Sequence, residues 1–218
     1  MKREEFCDVF WEYYLSLEKD FMDAERYVYF DLGDNNLYDG KISKDTGNSL
    51  TFSVEFVKQY QAICSEVDII LNAICNEIRQ NVDNKITEHT KIILSDNFWC
   101  KVVMQKVKFK DIELQPFMNW TANPYKSPDW WTPSNNVKHD RTHNYKKANL
   151  KNVTNSLAGL YILENYLAKY IGDRDKVRDV PSDTSKIFEM VSWKTKDIVL
   201  GKNSYAVRFD EIEDLKNL

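Results

Sequence analysis

From Phe56 to Ile78 an apolar residue returns at every third or fourth position: Phe56, Tyr60, Ile63, Val67, Ile70, Ile74, Ile78. Alternating fours and threes draw one continuous stripe along an α-helix, close to a coiled-coil seam. Ser53 offers a hydroxyl for the N-cap and Glu55 an acid in the first turn, so the spacing predicts a helix from Ser53 to about Gln80. At 1.5 Å per residue it spans roughly 40 Å. A stripe of that length requires other helices to bury it.

Two further segments supply such partners. Glu4 to about Arg26 carries Phe6, Val9, Phe10, Tyr13, Leu17 and Phe21 at helical spacing. Tyr145 to Tyr170 carries Leu150, Val153, Leu157, Leu160, Tyr161, Leu167 and Tyr170, with Ala148, Ala158 and Gly159 as points of close approach and Gly172 as its stop. Lys85 to about Asp96 predicts a shorter helix. The period then drops to two between Trp99 and Phe109. Lys110-Asp111 can turn the chain and Ile112, Leu114 and Phe117 return, which predicts a β-hairpin at about 99–117. Pro116, Pro124, Pro128 and Pro133 mark irregular chain that carries Trp120, Trp130 and Trp131. Tyr27 to Phe30 predicts a short strand, 31–48 a loop, Ile187-Phe188 a short helix, and 197–200 with 204–209 a small hairpin across Gly201-Lys202-Asn203. The expected fold is mainly α. An antiparallel helical bundle over 1–171 holds an inserted hairpin, and an extension over 172–218 adds a small C-terminal β element.

The net charge of −4 excludes a molecule that binds nucleic acid over its whole surface; anion binding has to come from a local patch. One such patch runs from Lys138 to Lys151, with Lys138, Arg141, Lys146, Lys147 and Lys151 against the single acid Asp140. The four cysteines form no C-x-x-C pair and have apolar flanks, so they read as buried thiols in a reducing compartment. The opening MKREEF has no apolar signal core, and no window approaches a membrane span. The expected location is the cytoplasm.

The patch contains a polar knot, Asn135-Asn136-Val137-Lys138-His139-Asp140-Arg141-Thr142-His143, with two of the three histidines. A histidine exchanges protons near neutral pH, and a lysine and an arginine beside it hold phosphate. His139, with Lys138, Arg141 and Asn135, therefore suits phosphodiester cleavage without a metal: the imidazole as general acid or base, the cations stabilising charge on phosphorus, the amide orienting it. Lys146, Lys147, Lys151 and Trp131 are the candidate nucleic-acid contacts. The bland alternative is that His139 buttresses a helix start and the cations are solvated. Glu66 and Asp68, on the long striped helix, are candidate acids facing the knot or members of a solvated face. His89 reads as surface. Trp120, Trp130 and Trp131 either stack bases or plug the bundle's end.

The order Asn135-x-x-Lys138-His139-x-Arg141, preceded by Trp130-Trp131 and followed by Ala148-Asn149-Leu150, resembles the HEPN (higher eukaryote and prokaryote nucleotide-binding) superfamily. Asn48-Ser49-Leu50-Thr51-Phe52-Ser53, leading to Cys64-Ser65-Glu66-Val67-Asp68, is similar to the front part of bacterial members. The resemblance covers about residues 5–170. It implies a helical bundle, often a homodimer, and in active members metal-independent endoribonuclease chemistry in phage defence or toxin–antitoxin systems, with an antitoxin or other protein as partner and RNA or a nucleotide as ligand. It implies no cofactor. The family signature places an arginine four to six residues before the histidine. No arginine stands at that spacing before His139 or His143 here, and Arg141 follows His139 by two. Lys138 and Arg141 then take over the cationic role, or the chain is a non-catalytic helical binding or dimerisation module. A third reading takes His139-x-x-x-His143 with Glu164 as a zinc-hydrolase ligand set, in the manner of H-E-x-x-H with a downstream acid.

Overall fold

The computed structural model describes residues 1–33, 47–176, 184–201 and 204–212, with side chains up to residue 193. Most of the expected 31–48 loop lies outside them. The described chain is mainly helical with small antiparallel sheets.

Helix α1 (Arg3–Phe6) passes through a π-helical turn (Cys7–Trp11) into α2 (Glu12–Ala24). A π turn closes i→i+5 and holds one residue more than an α turn. The inward face therefore passes to Phe6, Phe10, Trp11, Tyr14, Leu17 and Phe21. Val9 and Tyr13, expected in the stripe, are 57% and 44% exposed. Helix α3 (Val54–Ile78) follows the sequence closely. Ser53 Oγ accepts from the Phe56 N–H at 3.0 Å, and the seam from Phe56 to Ile74 is fully buried.

After α4 (Ile86–Ser95), the residues expected to open a strand form a helical turn, α5 (Trp99–Val102). Asp96 causes this: its Oδ1 accepts from the Phe98 and Trp99 N–H groups, both at 2.9 Å, and nucleates the turn. The hairpin is correspondingly short, β1 (Val107–Phe109) and β2 (Ile112–Leu114), with Lys110 left-handed at φ 52° between them. Two-residue strands β3 (Thr121–Ala122) and β4 (Tyr125–Lys126) form a second small ladder. Tyr27 to Phe30 forms no strand, because the Tyr27 and Val28 N–H groups donate to the Ala24 carbonyl and side chains take the backbone groups of Phe30. Phe30 N–H donates to Glu25 Oε1 at 3.4 Å, and its carbonyl accepts from Lys110 Nζ at 3.0 Å.

Helices α6 (Trp131–His139) and α7 (Arg141–Asn144), then a 3-10 turn (Tyr145–Lys147), lead to α8 (Leu150–Asp175). Helix α8 starts later than expected because Asn149 caps it, accepting from the Asn152 N–H at 3.0 Å. It also runs past Gly172 to a left-handed Lys176 (φ 59°), whose N–H donates to the Gly172 carbonyl. Its last turn is held by Arg174 Nη1 on Glu77 Oε2 at 3.0 Å.

Those contacts set the helix directions. The start of α8 meets the start of α3 (Leu150 N–H to Thr51 O, 2.8 Å), and the ends meet through Arg174 and Glu77. Helices α3 and α8 therefore run parallel. The first helical run opposes both, with the Met1 ammonium on Glu77 Oε1 at 2.7 Å and Gln59 Nε2 on the Asp20 carbonyl at 2.9 Å. The expected antiparallel bundle is antiparallel only between the first helix and the other two, because residues 86–148 return the chain to its starting end before α8 begins. Gly159 marks a close approach. A Cβ there would lie 3.0 Å from Phe117 Cζ and 3.2 Å from Trp130 Cζ2, both rings being buried. Gly159→Ala is expected to lower stability by about 1–2 kcal/mol in urea melts, the overpacking outweighing the gain in helix propensity. An unchanged midpoint would mean that the two rings yield freely.

Ile187-Phe188, expected on a helix, opens β5 (Phe188–Met190) instead, which pairs with β1 to give the order β2-β1-β5. Phe188 and Met190 point inward and Glu189 outward, and the Phe188 ring packs 5.6 Å from Phe109. Just before it, the carboxylate of buried Glu18 accepts from Tyr14 Oη–H at 2.6 Å, from the Lys186 N–H at 2.8 Å and from the Ser185 hydroxyl. Residues 185–190 are thus stitched onto the bundle. Strands β6 (Trp193–Gly201) and β7 (Ser204–Ile212) form the C-terminal hairpin, longer than expected. All four cysteines are free. Cys64 and Cys75 are buried, with thiols pushed up by burial to about 12, while Cys7 and Cys100 are half-buried. Among the described residues no helix is long and apolar enough to cross a membrane.

Candidate functional site

A polar cleft of about 320 Å³ opens between α3 and α6. Gln61, Ser65 and Asp68 line it from α3, and Trp131, Ser134, Asn135 and Lys138 from α6, with Cys64 at its floor. Each set is one helical face, at spacings of four and three. The polar face of α3 lies directly beside its apolar seam, so burying Tyr60, Ile63 and Val67 against the bundle turns Gln61, Ser65 and Asp68 toward α6. Gln61 Nε2 donates to the Ser134 carbonyl at 3.3 Å and ties the two helices across the cleft.

Charge in the cleft sits at Asp68 and Lys138. Burial pushes the Asp68 carboxyl up, and the Lys138 ammonium acts against that, as His89 does only when it is protonated. His89, expected at the surface, is fully buried on α4, with Nδ1 4.0 Å from Asp68 Oδ1 and neither ring nitrogen hydrogen-bonded among the described residues. Burial lowers its pKa, so the imidazole is neutral and backs Asp68 without charge. Glu66, the other candidate acid, faces away. It is buried toward Glu164 on α8, and both carboxyls are raised by burial, Glu164 strongly and with a further push from Glu66.

The knot divides into two short helices. Helix α6 ends at His139, Asp140 leaves helical geometry (φ −143°, ψ 80°), and α7 starts again at Arg141. Asp140 is the reason. Its Oδ1 accepts from the His143 N–H at 3.3 Å and its Oδ2 meets His143 Nδ1 at 2.8 Å, which caps α7 and holds its carboxyl below the usual range. His139 and His143 therefore do not share a helical face, and Glu164 is fully buried against α3. The zinc ligand set of His139, His143 and Glu164 is not assembled, and among the described residues no three His, Cys, Asp or Glu side chains could hold a metal ion.

Of the candidate catalytic residues, Asn135 and Lys138 line the cleft. His139 and Arg141 are exposed on the surface beyond it and are not part of its wall. Lys146 is exposed, Lys147 half-buried, and Lys151 half-buried with its pKa lowered by burial. Trp131 is 7% exposed, so it is a wall of the cleft and not a platform for bases. Trp120 and Trp130 are buried, with their indole N–H groups on Thr90 Oγ1 and the Pro116 carbonyl, both at 2.8 Å. A more apolar hollow of about 530 Å³ lies between the end of α2 and the start of α3, lined by Asp20, Asp23 and Glu55 against one lysine, Lys58. Its acid excess disfavours anions, so the α3–α6 cleft is the better candidate. No family model matches the chain, and no curated protein or solved structure matches it either.

Proposed function

We propose that this chain acts on RNA, in the manner of a HEPN-like protein, at the corner formed by α6, α7 and the start of α8. The observation that carries the reading is the arrangement of cations. Lys138 stands in the polar cleft with Asn135, while Arg141 and Lys146 are exposed beside it, and none of the three is held in a salt bridge among the described residues. Phosphates bound there would meet Arg141 and Lys146 without breaking other ion pairs, while Lys138 shares the cleft with Asp68. In this reading His139, exposed on the surface beyond the cleft wall, would move a proton at a bound phosphodiester without a metal.

A second reading shares the same surface without catalysis: a helical module that binds RNA, a nucleotide or a protein partner such as an antitoxin, or a second copy of itself. The position of His139 outside the cleft wall favours it.

Incubation of purified protein with a mixed RNA pool, with and without EDTA and beside His139→Ala, separates the two. The catalytic reading expects cleavage that survives EDTA and falls by about 10²–10⁴ in the variant. Because His139 is exposed, the variant's unfolding free energy should stay within about 0.5 kcal/mol of wild type, so lost cleavage reports chemistry and not folding. Binding without cleavage favours the module. Neither binding nor cleavage at low salt overturns the RNA reading.

A further inference from the structure

The turn before α3 and the start of α8 meet along a short backbone seam. Leu150 N–H donates to the Thr51 carbonyl at 2.8 Å, Lys151 N–H to the Ser49 carbonyl at 2.9 Å, and Phe52 and Asn149 form an isolated antiparallel bridge. The seam fixes Phe52 beside the 3-10 turn. Its ring meets Tyr145 edge-on, with centroids 5.7 Å apart and planes at 84°, and the Lys146 ammonium stands 5.9 Å from its centroid. Despite these contacts Phe52 stays 40% exposed, flanked by Leu50 at 58% and Val54 at 63%.

An aromatic ring pinned by its backbone, open to water and next to lysines has the two parts that single-stranded nucleic acid uses. The flat face stacks a base and the cations hold its phosphates. A duplex keeps its bases stacked inside and presents phosphates and sugars, so it has no use for the ring. The buried tryptophans leave Phe52 as the exposed aromatic beside this basic run among the described residues.

We propose that Phe52 is a base-stacking platform and that the ligand of this corner is single-stranded RNA. An unpaired base lies on the Phe52 ring and the adjoining phosphates on Lys146 and Lys147. The inference rests on the RNA reading above and names its ligand class.

The test is fluorescence anisotropy at two salt concentrations with three probes: a labelled oligouridine of about twelve nucleotides, the same strand with abasic positions, and an RNA duplex. Wild type, Phe52→Ala, Phe52→Trp and Lys146→Ala/Lys147→Ala are compared. Phe52→Ala is expected to weaken single-strand binding about tenfold with the salt dependence unchanged. Phe52→Trp restores it, duplex binding does not move, and the abasic strand loses about as much on wild type and nothing further on Phe52→Ala. The double lysine variant weakens both ligands and flattens the salt dependence. Single-strand binding undiminished in Phe52→Ala, an equal loss on the duplex, or no rescue by Phe52→Trp overturns the platform and leaves the RNA reading standing. Failure of wild type to bind either ligand overturns both.

Discussion

Trp130→Ala is expected to destabilise the protein by about 3–5 kcal/mol, the range for emptying a large buried aromatic site. The residue is 2% exposed at the N-cap position of α6. Its ring packs 5.8 Å from Phe117 and 5.8 Å from Trp131, and its Cζ2 lies against Gly159. Its indole N–H donates to the Pro116 carbonyl, and its own carbonyl accepts from the Tyr60 hydroxyl. The substitution thus removes packing from the α6–α8 contact and leaves the buried Pro116 carbonyl without this donor. In a chain of this length the loss corresponds to a drop in Tm on the order of 10 °C. Because Trp131, Ser134, Asn135 and Lys138 ride on the helix that Trp130 anchors, ligand binding in the cleft should weaken as well. Urea denaturation of Trp130→Ala beside Tyr60→Phe measures both links. Tyr60→Phe removes only the hydroxyl and should cost about 1–2 kcal/mol. A loss below 1 kcal/mol for Trp130→Ala would mean that other contacts hold α6 to the bundle.

Glu164→Met is expected to act in the opposite direction, stabilising the protein by about 2 kcal/mol at neutral pH. Glu164 is fully buried on α8 and neither carboxyl oxygen has a hydrogen-bond partner among the described residues. Burial, then the neighbouring Glu66, raises its pKa well above the ordinary carboxylate value, so it is held protonated when folded. The unfolded chain releases that proton once pH passes the ordinary range. The unfolded state therefore binds fewer protons than the folded state, and stability falls as pH rises toward the raised pKa, by up to about 1.4 kcal/mol per pH unit. Methionine fills a similar volume and carries no proton. The advantage of the variant should be smallest near pH 4 and grow toward pH 8, with a lesser slope left by Glu66, which burial raises in the same way. Equal pH slopes in the two proteins would show that Glu164 is solvated and titrates normally.

The long stripe from Phe56 to Ile74 was legible because one residue pattern, one cap and one buried face agree; α3 lies where that pattern puts it. The first helix was legible in extent and not in face, since a π turn shifts the inward register without leaving a mark in hydrophobic spacing. The strand expected from Trp99 failed to a single side chain: Asp96 caps a helical turn that alternation alone cannot foresee. At the candidate site, Lys138 and Asn135 were found from the local motif, and Asp68 from its place on α3. The clustering of Gln61 and Ser65 with Ser134 was also written in the sequence, as two matching runs at fours and threes, but seeing it requires knowing that α3 and α6 face each other. Phe52 carried no local signal at all. It sits almost a hundred residues before Tyr145 and Lys146, and only the seam between Thr51 and Leu150 brings them together.

The stitching of Glu18 has a consequence in time. Ser185 and Lys186 lie 167 and 168 residues after it. At synthesis rates of about 5–20 residues per second, they leave the ribosome roughly ten to thirty seconds later. Through that interval the Glu18 carboxylate has Tyr14 as its described partner and lacks the donors that make its burial tolerable. The helix that carries Glu18 is therefore made long before these polar contacts can form, and the nascent chain keeps that flank unsealed until Ser185 and Lys186 follow.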